Sequence, residues 1–208
     1  MSPLRDRFAS LLRRLGATGD ASATVGAVLA AWSEPARTYH GLPHLEDCLA
    51  RLDELPAHAG WRDAVEAALW FHDAVCDPRA DDNESRSAEW AQRALSDLGI
   101  PGDLPARVAD LVRLTRHDAP AADEAGRILC DLDLSILGRG PAEFDAYDRS
   151  IRAEYPWLPD AVYSAGRRRV LAGFLARRPL YQTDWFRGRY ETSARANLAR
   201  ALGAPEAP

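Results

Sequence analysis

Apolar residues recur three or four positions apart along almost the whole chain of 208 residues. This spacing gathers them on one face of an α-helix, whereas a half-buried β-strand needs strict alternation of apolar and polar residues. Long alternating runs rich in β-branched residues are missing from the sequence. The pattern therefore predicts an all-α fold, with no internal repeat and no linker.

Turn residues divide this pattern into ten predicted helices. Pro43 suits a first helical turn because its φ angle is already fixed near the helical value. We expect helices near 3–15, 22–34, 43–55, 61–75, 84–98, 104–116, 123–136, 141–154, 160–177 and 182–202. The length predicts a single domain over 1–208, and we expect the tail 203–208 to be disordered.

The composition excludes several kinds of chemistry and partner. All 26 basic residues are arginines, which excludes Schiff-base chemistry on lysine and the lysine of a phosphate-binding P-loop. The net charge of -5 argues against stable binding of nucleic acid. No apolar run approaches the roughly 20 residues that span a bilayer, no signal peptide is recognisable, and three cysteines lack paired spacing. We expect a cytoplasmic protein that does not bind membranes.

Two histidines and two aspartates form the most informative set of polar residues: His44, His72, Asp73 and Asp133. Imidazole nitrogens and carboxylate oxygens together suit a divalent metal ion. His72 and Asp73 are adjacent in the apolar stretch 67–73, inside the predicted helix 61–75. A buried His-Asp pair is costly unless a partner compensates its charge. A bound cation would do so, although a buried histidine beside a salt-bridged aspartate is the simpler structural alternative.

Asp133 and three further residues have both a functional and a structural interpretation. Asp131 and Asp133 are two apart on a predicted helix, so at most one of them faces the site directly. His117 is either a third histidine at the mouth of the site or a cation that stabilises a helix C-terminus. Arg167 begins the run 167–169, which either contacts a phosphate or forms a solvated helix face.

The order His, His-Asp, Asp in a helical chain resembles the HD-domain superfamily of metal-dependent phosphohydrolases, in particular its small bacterial members. The resemblance covers about 37–137, the expected metal-binding core, and 141–202 would be a C-terminal helical cap. The run Tyr39-His40-Gly41-Leu42-Pro43-His44 is also similar to a histidine motif of cyclic nucleotide phosphodiesterases, relatives on a similar helical core. The chain departs from that motif at Gly41, where the motif has asparagine.

This resemblance implies a role for each residue. The metal ligands would be His44, His72, Asp73 and Asp133. Asp73 would also be catalytic, either bridging two ions or binding one ion directly and a second through water. His40 would be the general acid that protonates the leaving oxygen. Residues that hold metal-bound water or contact substrate would be Glu84, His117, Asp131 and Arg167.

The implied function is a metal-dependent phosphohydrolase that uses one or two divalent ions, Mn, Fe, Mg or Zn, to activate water. Its substrate would be a nucleotide or another small phosphorylated metabolite, and the sequence leaves an oligomer open. The sequence leaves two alternatives open. An HD-type di-iron oxygenase shares the His-Asp doublet but usually needs further histidines after it. A non-catalytic, metal-stabilised binding or regulatory module would need no proton donor at His40.

Overall fold

The computed structural model describes residues 3–57 and 59–203, and over these ranges it has ten α-helices, one 3-10 helix and no strand. This confirms the predicted all-α class. The α-helices are α1 (Pro3–Arg14), α2 (Ser22–Trp32), α3 (Leu42–Asp53), α4 (Arg62–Phe71), α5 (Asn83–Asp97), α6 (Leu104–Leu114), α7 (Glu124–Asp133), α8 (Pro141–Ala153), α9 (Asp160–Ala176) and α10 (Asp184–Ala201). The 3-10 helix covers Leu134–Gly138. Apart from Gly203, the tail predicted to be disordered lies outside the described residues.

The chain forms two compact units, one ending at Leu129 and the other beginning at Cys130. The predicted division into a metal-binding core and a C-terminal cap stays a prediction. Among the described residues, no helix combines the length and the apolar character required to cross a membrane.

Helix α4 is the central helix of the first unit, because it packs against α1, α3, α5 and α6. Seven consecutive residues at its C-terminal end are buried, including the apolar run 67–71. Trp70 stacks on Phe8 of α1 with ring centroids 4.4 Å apart, and Phe71 meets the edge of Trp90 of α5. Aromatic packing of this kind stabilises a core beyond the area it buries. It fixes the end of α4, and therefore His72, inside the unit.

One carboxylate in this apolar helix is compensated by arginines from α1. The Glu66 side chain is buried, and it accepts hydrogen bonds from Arg7 at 2.8 Å and from Arg14 at 3.1 Å. Arg7 also binds Asp53 at the end of α3. A buried carboxylate is tolerated where it is paired in this way. The ion pairs therefore connect α1, α3 and α4.

The predicted helical position of Asp73 is wrong. Helix α4 ends at Phe71, His72 is its C-cap, and Asp73 lies in the turn that follows. The backbone groups after the helix bind side chains instead of continuing the helix. Arg37 donates to the carbonyls of Asp73 and Ala74, and the Val75 N–H donates to the Ser87 hydroxyl. The poor helix propensity of aspartate therefore has no bearing on Asp73.

In the second unit, the 3-10 helix packs against α8 and α10, and α9 packs against α10. Gly138 is required at the closest approach, because a Cβ atom there would lie 2.4 Å from the Tyr190 Cβ. The buried Asn197 donates to the carbonyls of Leu137 and Arg139 at 3.0 and 2.8 Å. These bonds satisfy the carbonyls at the end of the 3-10 helix, as a C-cap would.

Candidate metal centre

Helix α3 presents His44 in its first turn. The helix begins at Leu42 with Pro43 in the first turn, as predicted, and His40 lies in the turn before it. Gly41 occupies a narrow position between these residues. A Cβ atom there would lie 3.2 Å from the Arg37 carbonyl and 3.4 Å from the Trp32 carbonyl. A side chain at position 41 would press on both carbonyls, so this packing favours glycine.

The structure brings three of the predicted metal ligands together within the first unit. The Nε2 atoms of His44 and His72 lie 3.2 Å apart. One carboxylate oxygen of Asp73, Oδ2, lies 3.1 Å from the His72 Nε2 and 3.7 Å from the His44 Nε2. Both imidazoles are buried, whereas the Asp73 side chain is 20% exposed. The three donor atoms therefore face one another from the start of α3 and the end of α4.

The tautomer of His72 follows from its backbone partner. Its Nδ1 lies 2.9 Å from the Leu69 carbonyl oxygen, which can only accept a hydrogen bond. Nδ1 must therefore carry the proton, and a neutral His72 has its lone pair on Nε2. Metal-binding histidines commonly orient themselves by this bond to a carbonyl.

The donor set fits a single divalent cation. Metal–nitrogen distances of 2.0–2.1 Å at ligand angles of 90–110° separate two imidazole nitrogens by about 2.9–3.4 Å. The distance between the His44 and His72 Nε2 atoms, 3.2 Å, lies within this interval. The Asp73 Oδ2 lies within 4 Å of both nitrogens and supplies negative charge next to them.

Aromatic rings form the walls around the two imidazoles. The buried Trp32 ring lies 5.3 Å from the His72 ring and 6.2 Å from the His44 ring, between centroids. Its Nε1–H donates to the Trp70 carbonyl at 2.9 Å, which fixes the indole. The half-buried Tyr39 ring lies 4.7 Å from the His44 ring, between centroids. These rings limit the access of water to the imidazoles.

His40, the predicted general acid, lies beside this group and is half-buried. Its ring centroid is 6.1 Å from that of His44, and the two rings meet edge to face. The Tyr39 ring lies 4.9 Å from the His40 ring and 4.7 Å from the His44 ring, between centroids. His40 is therefore close to the donor set without being one of the three converging donors.

The other predicted residues have separate surroundings. Glu84 lies in the first turn of α5 and is half-buried. His117 follows α6 with φ 59°, so it is the residue that reverses the chain there. Its N–H donates to the Leu114 carbonyl at 3.0 Å, in keeping with a helix-terminating role. The roles predicted for Glu84 and His117 at the metal stay predictions.

Three predicted residues belong to the second unit. Asp133 is the last residue of α7, and its role as a ligand stays a prediction. The buried Asp131 accepts hydrogen bonds from the backbone N–H groups of Gln182 and Thr183, each at 2.8 Å, which gives it a structural role before α10. Arg167 binds Asp148 at 2.8 Å and covers the Tyr147 ring. Contacts of Asp131 and Arg167 with water or substrate stay predictions.

The sequence-based reasoning missed Arg37. Its side chain is only 4% exposed and donates to the backbone carbonyls of Asp73 and Ala74. It also lies 3.5 Å from the His40 carbonyl. The one signal in the sequence is an arginine three residues before His40 in a non-helical stretch.

Comparisons with protein-family models, with curated proteins and with solved structures give no significant match. The resemblance to the HD-domain superfamily therefore depends on the motif residues themselves.

Proposed function

We propose that this chain is a metal-dependent phosphohydrolase of the HD type, acting on a nucleotide or another small phosphorylated metabolite. One observation carries the proposal: the His44 Nε2, the His72 Nε2 and the Asp73 Oδ2 converge within 3.7 Å of one another beside His40. The residue order His, His-Asp and the neighbouring histidine of the Tyr39–His44 run support the hydrolase over other metal-binding functions.

Each residue of the group has a chemical task in this proposal. His44, His72 and Asp73 would hold the cation, and Asp133 is the proposed fourth ligand. A bound divalent cation lowers the pKa of a coordinated water toward neutrality and polarises the phosphoryl oxygens. His40 donates a proton from a ring nitrogen to the leaving oxygen, as a general acid. Trp32 and Tyr39 exclude bulk water from the imidazoles, which strengthens the electrostatic interactions among them.

The test is phosphate release by metal-stripped protein from a panel of nucleotides and phosphoesters, with Mn²⁺, Mg²⁺, Fe²⁺, Co²⁺ or Zn²⁺ added in turn. The Asp73→Asn variant keeps the size of the side chain but removes its charge, and the backbone carbonyl that Arg37 binds is unchanged. Asp110→Asn, at an exposed aspartate of α6, is the matched control. We expect metal-dependent turnover that falls at least 100-fold in Asp73→Asn and is unchanged in Asp110→Asn.

Two outcomes would contradict the proposal and favour the alternatives. Oxygen uptake that depends on Fe²⁺, without phosphate release, would indicate a di-iron oxygenase. Tight metal binding without turnover of any panel member would indicate a binding or regulatory module.

A further inference from the structure

A single arginine contacts both chain segments that carry the polar groups of the candidate metal centre. Arg37 lies between α2 and α3, and its Nη1 donates to the Asp73 carbonyl. Its Nη2 donates to the Ala74 carbonyl at 3.1 Å, and Nη1 lies 3.5 Å from the His40 carbonyl. The acceptors therefore belong to the turn that contains Asp73 and to the turn that contains His40.

We propose that Arg37 is the positioning residue of this site. It fixes the Asp73 carboxylate and the His40 ring in place relative to the imidazoles of His44 and His72. The proposal rests on the proposed function, because it assigns Arg37 to the same metal centre. Arg37 contacts the backbone carbonyls of Asp73 and His40 and acts through them rather than as a ligand.

The chemistry of the contact requires arginine. Helix α4 ends at Phe71, so the carbonyls that follow need donors from elsewhere. A guanidinium has five N–H groups in a rigid planar fork and can bind adjacent carbonyls at once, whereas an ammonium is a single flexible point charge. A cation beside the C-terminal end of a helix is also favoured by the helix dipole.

Arg37 is buried, so its contacts differ from those of a solvent-exposed arginine in a surface ion pair. Its side chain is 4% exposed, and its Nε donates to Glu34 at 3.1 Å, whose own side chain is 54% exposed. A buried cation is costly to desolvate, so the hydrogen bonds to carbonyls must offset that cost. Those bonds fix the two turns, and a metal site needs its ligands fixed to about 0.5 Å.

The experiment compares metal affinity in matched arginine-to-lysine variants. Arg37→Lys keeps the positive charge and removes the planar set of guanidinium N–H donors. Arg7→Lys is the control, because Arg7 joins Glu66 and Asp53 in the same unit and contacts none of the proposed site residues. Affinity for Mn²⁺ and Zn²⁺ is measured by calorimetric titration of metal-free protein, after a thermal melt confirms that each variant is folded at the titration temperature. Glu34→Gln removes the ion pair of Arg37 and leaves its carbonyl bonds.

We expect Arg37→Lys to bind both metals roughly 10- to 100-fold more weakly, the range typical of lost support behind metal ligands. Arg7→Lys should lower the melting temperature and leave the metal affinity at the wild-type value. The metal affinity of Glu34→Gln should stay within about 3-fold of wild type. Should Arg37→Lys fail to fold, Arg37→Gln replaces it, because its amide can still donate to one carbonyl.

Wild-type affinity in the Arg37 variants, or an equal loss in Arg7→Lys, would overturn the positioning role while leaving the proposed function intact. Absence of metal binding in the wild-type protein would overturn both. Binding with no hydrolysis would overturn the hydrolase alone, and Arg37 would then position the ligands of a non-hydrolytic metal site.

Discussion

At the scale of single residues, the contact between the two imidazoles has a protonation requirement. In a neutral His72 the Nε2 carries the lone pair, because the Nδ1–H donates to the Leu69 carbonyl. The His44 Nε2, 3.2 Å away, can therefore donate to it only when it carries a proton. A cation bound by both Nε2 atoms would require that proton on the His44 Nδ1 instead. The Cys48 Sγ, a weak acceptor, lies 3.8 Å from that nitrogen and 3.9 Å from the Nε2.

His40 is the residue whose function separates catalysis from metal binding. His40→Ala should lower kcat for the panel substrate by 10²- to 10⁴-fold, the usual contribution of a general acid. Metal affinity should remain that of the wild type, because the His40 ring is not among the converging donors. Steady-state kinetics and metal titration of the same preparation check this. Unchanged kcat would show that the proton for the leaving oxygen comes from another group, and lost metal binding would make His40 a ligand.

At the scale of helices, the sequence predicted what is local and missed what depends on distant partners. The ten helices lie close to their predicted positions because an apolar face and its turn residues are encoded within a few positions of each other. The end of α4 at Phe71 was not predictable in this way. It depends on Arg37, 36 positions from Asp73, and on Ser87, 12 positions from Val75. The ligand residues were recognisable by type, whereas the arginine that fixes their turn acts through backbone carbonyls that have no sequence signal.

The carboxyl group of Asp131, which accepts hydrogen bonds from the residues just before α10, should make the stability of the protein depend on pH. Burial raises the pKa of Asp131 to about 6, although the N–H groups of Gln182 and Thr183 and the Thr183 hydroxyl oppose the rise. The folded protein therefore holds this proton more tightly than the unfolded chain. The resulting stability is fully present below about pH 4 and is lost as the pH rises through 6. It amounts to roughly 3 kcal/mol.

Asp131→Asn isolates this effect, because asparagine does not titrate. The free energy of unfolding of the wild type, minus that of Asp131→Asn, should fall between pH 4 and pH 7. Urea denaturation at several pH values measures the difference. A difference that instead grows with pH would mean that the hydrogen bonds outweigh burial and that the carboxylate is ionised throughout this range.

At the scale of the whole molecule, a metal bound by His44 and His72 would cross-link α3 and α4 at residues 28 apart in sequence. Both helices belong to the first unit and already pack against each other. A ligand that binds the folded protein alone raises its stability by RT ln(1 + [L]/Kd), about 2.7 kcal/mol at one hundred times Kd. The melting temperature of the first unit should therefore rise with metal concentration.

Two variants and a change of pH test whether the stabilising metal ion is bound at His44 and His72. His72→Ala removes one donor and leaves a cavity, so it should melt lower without metal and gain almost nothing when metal is added. Arg7→Lys should also melt lower, yet it should gain as much from metal as the wild type. Imidazoles bind metal only when deprotonated, so the wild-type gain should shrink at pH 5. Differential scanning calorimetry measures all three. An equal gain in His72→Ala would place the stabilising ion at some other part of the protein.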